Sequence, residues 1–362
     1  MEDKKNETMK KNKKNLRWAM PMMAACLLTA CSSDENAVET PQTKTITFGV
    51  TVNQASAPTT RNAEWEYEDS YTTNKTLALN WDATNDITLF PYSSTWMTTQ
   101  QGTLAVGSGN SNSKTVTFTA DNDIKALTAL FPYKNVSLTD GATEIDMSST
   151  FTQTGKDAKH LAKYMYMYGS VMNPAATGST MQLNHIPAVL RSLVINKGDA
   201  ERVITKVTIE ASNSFYQKMK VAFTYSASKF DTEITPVDNA SYNNIEVSCT
   251  AASDPAWNKL AAFNAAGNAD NKKPDRLMAY ALCFPTATAQ DYTFKVTATD
   301  ADGSNETTYT SNVVSSSRFT GTDGALKSGY YYTFQLLLDD KLTASLAGVT
   351  AMPGWGDDID IE

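Results

Sequence analysis

Histidine, cysteine and charge are all scarce in this chain, and the shortages remove several classes of function. Its 362 residues contain two His and four Cys, and 19% of them are charged. The two His, at positions 160 and 185, lack the close spacing of a zinc-binding pair. The sequence also lacks a Cys-x-x-Cys pair, a Gly-rich phosphate loop and a nucleophile elbow. We therefore predict a protein without catalytic residues, metal or cofactor, that is, not an enzyme.

The charge balance argues against a nucleic-acid partner. The chain has 31 Lys and Arg against 39 Asp and Glu, a net charge of −8. Residues 1–30 hold seven positive and three negative side chains, so the chain without them has a net charge of −12. Such a surface repels a phosphate backbone.

Long hydrophobic runs are missing too. The longest apolar run, residues 18–30, is too short to span a bilayer as a helix. A basic segment, residues 4–17, precedes it. A basic segment followed by a short apolar run is typical of a secretory signal peptide, which we place at residues 1–30.

The end of the apolar run reads Leu28-Thr29-Ala30-Cys31, which resembles the lipobox of bacterial lipoproteins. The resemblance implies cleavage between Ala30 and Cys31, lipids on Cys31, and anchoring in the outer membrane by several acyl chains. The alternative is an ordinary signal peptide with an incidental Cys.

Residues 32–36, which include Asp34 and Glu35, resemble a short acidic signal for export of lipoproteins to the cell surface. A plain polar tether would have the same composition. Because residues 31–43 have little apolar content, we predict a flexible tether there.

Beyond residue 43 the pattern is that of an all-β protein. Ile46, Phe48, Val50 and Val52 alternate with polar or small residues, which predicts a strand with one buried face. Similar runs, separated by turn-forming residues, predict strands at 86–91, 114–119, 188–196, 203–210, 218–225, 292–299, 307–314 and 330–338. Many short strands favour sandwiches over parallel α/β units.

Helix signals are few. Asp254 and Pro255 form a helix start and Gly267 a helix stop, with Trp257 and Leu260 on one face, so this segment is the best helix candidate. Residues 159–171 are ambiguous, because Leu161 and Tyr164 have helical spacing whereas Met165 and Met167 alternate as in a strand. We favour a turn that leads into a strand. The length indicates about two domains, and the soft segment at 173–179 places them at 44–180 and 181–362.

Four ordered landmarks resemble the fimbrillin family, the subunits of type V pili. They are an alternating strand followed by Thr60-Arg61, the element Trp81-Asp82-Ala83-Thr84-Asn85-Asp86-Ile87-Thr88-Leu89-Phe90, the strand Leu183-Asn184-His185-Ile186-Pro187-Ala188-Val189-Leu190, and Gly329-Tyr330-Tyr331-Tyr332-Thr333-Phe334 with Gly354-Trp355. Asn85 stands where family members often have Gly, and Pro187 interrupts the third landmark.

The resemblance implies two transthyretin-like β-sandwich domains in tandem. It further implies that a protease cuts after an Arg in the loop behind the first strand, that this strand leaves, and that the C-terminal segment of another subunit fills the groove. Arg61 occupies the matching place, although it could equally be a solvated loop residue. Ile46, Phe48, Val50 and Val52 would form the removable plug. Residues 342–355 would be the donor, or else a final edge strand that stays in its own subunit.

Several other residues have a functional and a structural interpretation. His185 is predicted to lie in a core strand and His160 in a solvated turn. Residues 300–306 resemble the start of a calcium loop, but a hairpin turn at Asp302-Gly303 is the simpler interpretation. Cys249 and Cys283 form either a disulfide or two buried free thiols.

Aromatic residues could form a sugar-binding surface or part of the core. The residues concerned are Trp65, Trp81, Trp96, Tyr67, Tyr71 and Tyr92. Carboxylate pairs such as Glu64/Glu66 and Asp357/Asp358 are too close in sequence to face one substrate from a strand.

The first functional hypothesis is therefore a structural subunit of a surface pilus, assembled with other pilus subunits and serving adhesion or biofilm formation. The alternative is a monomeric glycan-binding lipoprotein of the cell surface. A hydrolase is a distant third, because no group of carboxylates can be named for it.

Overall fold

The alternation seen in the sequence produces strands through most of the described chain. The computed structural model describes residues 43–52, 60–61, 86–105, 114–121, 124–156, 158–226, 229–251, 257–263, 275–319 and 323–352. The first ten strands are β1 (Thr43–Val52), β2 (Thr60–Arg61), β3 (Asp86–Tyr92), β4 (Gln100–Ala105), β5 (Lys114–Asp121), β6 (Ala126–Phe131), β7 (Ala142–Asp146), β8 (Thr150–Gln153), β9 (Met167–Met172) and β10 (Thr180–His185). The others are β11 (Ala188–Asn196), β12 (Arg202–Tyr216), β13 (Lys218–Ser226), β14 (Lys229–Pro236), β15 (Ser241–Cys249), β16 (Lys259–Leu260), β17 (Arg276–Cys283), β18 (Tyr292–Asp300), β19 (Thr307–Thr310), β20 (Tyr330–Leu338) and β21 (Leu342–Ala351).

Helix is limited to two short 3-10 segments in the described residues, Lys159–Tyr164 and Ser316–Arg318. No described helix has the length and apolar character needed to cross a membrane. The prediction of an all-β protein is confirmed.

Seven strands form a closed barrel in the order β1-β10-β9-β6-β3-β4-β5. Its interior is a separate hydrophobic core, made by every second residue of the strands that line it. The barrel places β1 between β5 and β10.

The remaining strands form three sheets. Their orders are β17-β11-β20-β21-β2, then β19-β18-β12-β15-β8 with β16 beside β12, and β14-β13-β7. The first two share one large core, in which the rings of Phe294 on β18 and Phe334 on β20 lie 4.6 Å apart between centroids.

The chain crosses between its halves more than once. Strands β2, β7 and β8 precede residue 180 but pair with β21, β13 and β15, and β10 of the barrel begins at Thr180. The described residues lie within one compact unit, Pro41–Glu362. The predicted domain ranges 44–180 and 181–362 stay a prediction, as does the transthyretin-like character of the sandwiches.

The helix predicted from Asp254 onward is wrong for the residues that the structure describes. Trp257 lies in a turn, and Lys259 and Leu260 form β16, which pairs with the start of β12. Trp257 is buried, and its indole N–H donates to the carbonyl of Thr250 at 2.7 Å. Sheet pairing and this anchor override the helix signals; Asp254, Pro255 and Gly267 lie outside the described residues.

Two predicted strands differ from those observed by several residues, whereas the others agree to within one or two residues. The strand expected at 203–210 continues to Tyr216 as β12, with an irregular register against β15 between Glu210 and Phe215. The strand expected at 307–314 ends at Thr310, although Val314 still bridges to Tyr292. For residues 159–171 the predicted strand is confirmed as β9, and the segment before it is the 3-10 helix Lys159–Tyr164, in keeping with the helical spacing of Leu161 and Tyr164.

Candidate strand-exchange site

Strand β1 presents one apolar face to the barrel interior. Ile46, Phe48, Val50 and Val52 are 3%, 3%, 0% and 7% exposed. Thr45 and Thr47, which alternate with them, are exposed. Because the side chains of a strand point alternately to its two faces, the period of two in the sequence determines this burial.

Hydrogen bonding joins β1 to both neighbours. It is antiparallel to β5, with Thr43 opposite Asp121 and Val50 opposite Lys114. It is parallel to β10, with Gly49 opposite Thr180 and Val52 opposite Leu183. Since β5 and β10 do not pair with each other in the described sheet, β1 is the strand that closes the barrel.

The side chains of β1 pack on residues of both neighbouring strands in the barrel core. The ring of Phe48 meets that of Phe118 edge to face, with 6.1 Å between centroids. Met181 and Leu183 on β10 belong to the same core cluster. Loss of β1 would therefore leave two unpaired strand edges beside an apolar groove.

Strand β2 places Arg61 at the edge of a different sheet. Thr60 pairs with Val349 and Arg61 with Gly348, both on β21. The candidate processing residue thus lies nine residues after the end of β1, and its backbone contacts the candidate donor strand.

Strand β21 pairs with β20 of the same chain in the antiparallel direction. Leu342 stands opposite Leu338, and Ala351 stands opposite Tyr330. Leu342, Ala344 and Leu346 are 3%, 4% and 6% exposed. The alternation predicted for a donor strand is present, and its apolar face fills the core of its own sheet.

The opposite edge of the sheet that contains β21 is formed by β17, and a side chain bonds to it. Gln153, fully buried at the end of β8, donates from Nε2 to the carbonyl of Met278 and accepts at Oε1 from the N–H of Tyr280, both at 3.0 Å. A residue of a neighbouring parallel strand would make the same two bonds to β17. Sequence reasoning missed Gln153, because nothing in the local pattern shows which backbone a buried amide will meet.

Neither histidine is fully exposed. His185 lies at the end of β10, 6% exposed, as predicted for a core strand. The prediction of a solvated turn for His160 is wrong. Its ring is half-buried, with Nε2 2.9 Å from the carbonyl oxygen of Tyr280 and the ring against Phe151, because the 3-10 segment packs on β17 and β8.

Cys249 and Cys283 are buried free thiols, so the disulfide alternative is not realised. Burial raises the pKa of the Cys249 thiol to about 12, and it raises the pKa of Cys283 as well. Neither thiol is suited to act as a nucleophile.

The hairpin interpretation of residues 300–306 is confirmed. Strands β18 and β19 pair antiparallel around the turn, where Asp302 accepts from the N–H of Ser304 and Asn305 donates to Asp300. Asp300 also pairs with Arg202. The described residues contain no group of three or more potential metal ligands.

Two of the six candidate sugar-binding aromatics lie in described segments, and both pack in an aromatic cluster. Tyr92 lies 4.6 Å from Tyr225, and Trp96 lies 5.6 Å from Phe230 with nearly parallel rings. The rings join the barrel strand β3 to the hairpin β13–β14.

Other predicted site residues lie outside the described residues. They are Ala30, Cys31, Trp65, Trp81, Tyr67, Tyr71 and Trp355.

No protein family and no curated protein matches the sequence in the comparisons with known proteins. Solved structures do. A candidate cell adhesion protein from Bacteroides uniformis has a TM-score of 0.47 at 13% identity, over 85% of this chain and 98% of that one. A candidate cell adhesion protein from Bacteroides ovatus has 0.45 at 12%, over 86% and 99%.

The tip fimbrial protein Mfa3 from Porphyromonas gingivalis has a TM-score of 0.37 at 10% identity, over 84% of this chain and 99% of that one. These similar structures are thus two candidate cell adhesion proteins and one fimbrial protein.

Proposed function

We propose that this chain is a structural subunit of a cell-surface pilus, assembled by strand exchange and serving adhesion or biofilm formation. The observation that carries the proposal is the position of β1. One ten-residue strand closes the barrel and supplies four buried apolar side chains to its interior.

Removal of β1 would be costly until the groove is refilled. Full burial of an aliphatic or Phe side chain contributes about 1.5–3 kcal/mol, so the four side chains together contribute several kcal/mol. A strand from another subunit could recover this energy, because backbone hydrogen bonds provide affinity and alternate side chains provide register.

The proposed cut follows Arg61. The segment between Val52 and Thr60 is rich in small and polar residues, a composition suited to protease access. The donor is residues 342–355 of a neighbouring subunit, whose alternating Leu342, Ala344 and Leu346 match a groove that accepts every second side chain.

The proposed function includes a lipid anchor in the membrane. Lipids on Cys31 would hold the chain in the outer membrane, and residues 31–43 would separate the folded part from it. Catalysis is not part of this function, and the partners are other pilus subunits.

The test is assembly in solution after limited trypsin digestion. Wild-type protein cut at Arg61 should form ladders in gels and filaments in electron micrographs. Arg61→Gln protein should stay monomeric under the same digestion, whereas Arg318→Gln, which removes an exposed Arg elsewhere, should behave as wild type. Protein ending at Asp340 should be cut but should fail to donate.

Equal assembly by Arg61→Gln protein or by the truncated protein would contradict the proposal. A cut subunit that loses β1 yet remains a monomer would favour the glycan-binding alternative. That alternative requires exposed aromatic platforms, and Tyr92 and Trp96 use ring surface for packing.

A further inference from the structure

The outer edge of β21 is held by two different contacts. Near its start, Asn312 donates from Nδ2 to the Ala344 carbonyl at 3.0 Å and accepts at Oδ1 from the Ala344 N–H at 2.9 Å. Near its end, Gly348 and Val349 pair with the two residues of β2. Only the second contact comes from the part of the chain that a cut after Arg61 would separate from β21.

Strands β1 and β2 lie on the same side of the proposed cut. The first closes the barrel, and the second pairs with the end of β21. A cut after Arg61 leaves the two strands joined through residues 53–59, so they form one fragment. Because β2 is held in its sheet by two residue pairs only, departure of β1 from the barrel takes β2 with it.

Loss of β2 would free backbone groups of β21. Gly348 and Val349 each stand between one residue of β20 and one residue of β2. Successive residues of an antiparallel strand bond alternately to its two neighbours, so one of these two amides faces β2 and the other faces β20. The pairs with β20 and the buried side chains of β21 remain after the cut. The cut therefore loosens one edge of β21 near its end and leaves the rest of the strand in place.

We propose that β2 restrains the donor strand of the uncut subunit, so that one cut after Arg61 both opens the acceptor groove and loosens the donor. The inference rests on the proposed strand exchange and adds its regulation. A strand that leaves its sheet has to break its bonds at both edges, and fewer remain without β2. The uncut subunit is a poor acceptor because β1 fills the groove, and a poor donor because β2 holds β21.

The same pairing protects the processing site. Proteases cut backbone that opens locally, and hydrogen bonds of that backbone oppose the opening. Arg61 is paired as long as Gly348 lies in the sheet of its own subunit. Weaker pairing between β2 and β21 should therefore make Arg61 easier to cut.

The first experiment weakens β2 alone, in uncut protein. Thr60→Pro removes an N–H and fixes φ at about −65°, whereas an antiparallel strand has a φ of about −140°; Thr60→Ala is the matched control. In Thr60→Pro, the amide of Gly348 or Val349 that faces β2 should exchange its hydrogen about 2- to 10-fold faster than in wild type, the effect of one lost net hydrogen bond. The amide of Ala344 and those of β1 should keep their wild-type rates in both variants.

Trypsin gives a second measurement on the same variants. Thr60→Pro protein should be cut at Arg61 faster than Thr60→Ala protein, again by about 2- to 10-fold. Peptides of residues 56–66 with the same two substitutions have no β21 to pair with, and their cutting rates correct for the preference of trypsin itself.

The third experiment measures donation. Labelled Arg61→Gln protein stays uncut and, because β1 fills its groove, joins cut wild-type protein only as a donor. With Thr60→Pro added, label should enter the oligomers about 2- to 10-fold faster. With Thr60→Ala added, the rate should equal that of Arg61→Gln alone.

Unchanged exchange at both Gly348 and Val349, equal corrected cutting rates, or equal entry of label for the two substitutions of Thr60 would each overturn the proposal. Cut wild-type protein that has lost the fragment gives the same exchange measurement without a substitution at Thr60. Circular dichroism and the exchange of β1 confirm that each variant is folded. Failure of cut wild-type protein to assemble would instead contradict strand exchange itself, and the exchange rates of uncut protein do not depend on assembly.

Discussion

At the scale of single residues, burial decides which chemistry remains open to the few reactive side chains. Cys249 and Cys283 are 4% and 0% exposed, in an apolar core that penalises the thiolate. The same two residues in an exposed loop would be reactive in an oxidising compartment, such as the one to which the predicted signal peptide would direct the chain.

We predict that both thiols resist alkylation in the folded protein. Because burial raises the pKa of both thiols, the thiolate population near neutral pH is lower than that of an exposed cysteine. Iodoacetamide labelling, mapped by mass spectrometry to the peptides of Cys249 and Cys283, should be slow in buffer and complete in urea. Equal labelling in both conditions would show that the thiols are accessible.

The stability of the protein at low pH should depend on Asp146. Lys134 Nζ lies 2.7 Å from Asp146 Oδ1, and this hydrogen bond is the main reason that the pKa of Asp146 is lowered. A carboxyl whose pKa is lowered in the folded state stabilises the protein above its unfolded pKa of about 3.9, and the contribution disappears as the pH falls through the folded pKa. Asp146→Asn should therefore lose less stability than wild type between about pH 5 and pH 2.

Urea denaturation at several pH values checks this. The effect should be small, because the Asp146 side chain is 59% exposed and solvent screens the pair. In a Lys134→Gln background, Asp146→Asn should change the acid dependence less, because the largest cause of the lowered pKa is already gone. If Asp146→Asn changes the acid dependence equally in the Lys134→Gln protein, Lys134 is not the cause of the lowered pKa.

At the scale of elements, the backbone groups at the edge of a buried strand need hydrogen-bond partners. The buried Gln153 makes three hydrogen bonds, to the carbonyls of Gly155 and Met278 and from the N–H of Tyr280. We predict that Gln153→Leu lowers the free energy of unfolding by about 2–4 kcal/mol, because it leaves buried backbone groups of β17 without partners. Gln217→Leu, at an exposed position, should change it by less than about 0.5 kcal/mol in the same urea titration.

Barrel closure by β1 makes an independent element-scale prediction. Phe48→Ala should destabilise the folded chain by about 3–5 kcal/mol, since it removes a buried ring that packs on Phe118. Thr47→Ala, on the exposed face of the same strand, should cost far less. Denaturation curves that coincide for the two variants would mean that β1 contributes little to the barrel.

At the scale of the whole molecule, the proposed function depends on an anchor at one end and a polymerising surface at the other. We predict that Cys31→Ala releases the protein from the membrane fraction, because it removes the residue that would carry several acyl chains. Detergent partitioning of cell fractions measures this. Cys26→Ala, in the apolar run before the cleavage point, is the matched control and should remain in the membrane fraction. Equal partitioning of both variants would exclude lipid attachment at Cys31.

Much of the fold could be predicted from the sequence where strand periodicity was strict. The alternation at Ile46, Phe48, Val50 and Val52 predicted both β1 and its buried face, because side-chain direction in a strand is a local property. The helix beginning at Asp254 was wrong for the described residues, since its start and stop signals are local whereas Leu260 is held by pairing with Arg202 on β12.

The sequence by itself determined the all-β class, the burial of one face of β1, and the candidate positions of Cys31 and Arg61. Only the tertiary structure decided what those strands do for one another: that β1 closes a barrel between β5 and β10, that Arg61 pairs with Gly348, and that two amides, Gln153 and Asn312, occupy strand edges. The physical reason is that alternation specifies which side chains are buried, but a backbone edge has no side-chain pattern of its own. Its partner can come from any part of the chain, and only the folded structure brings residues such as Asn312 and Ala344 together.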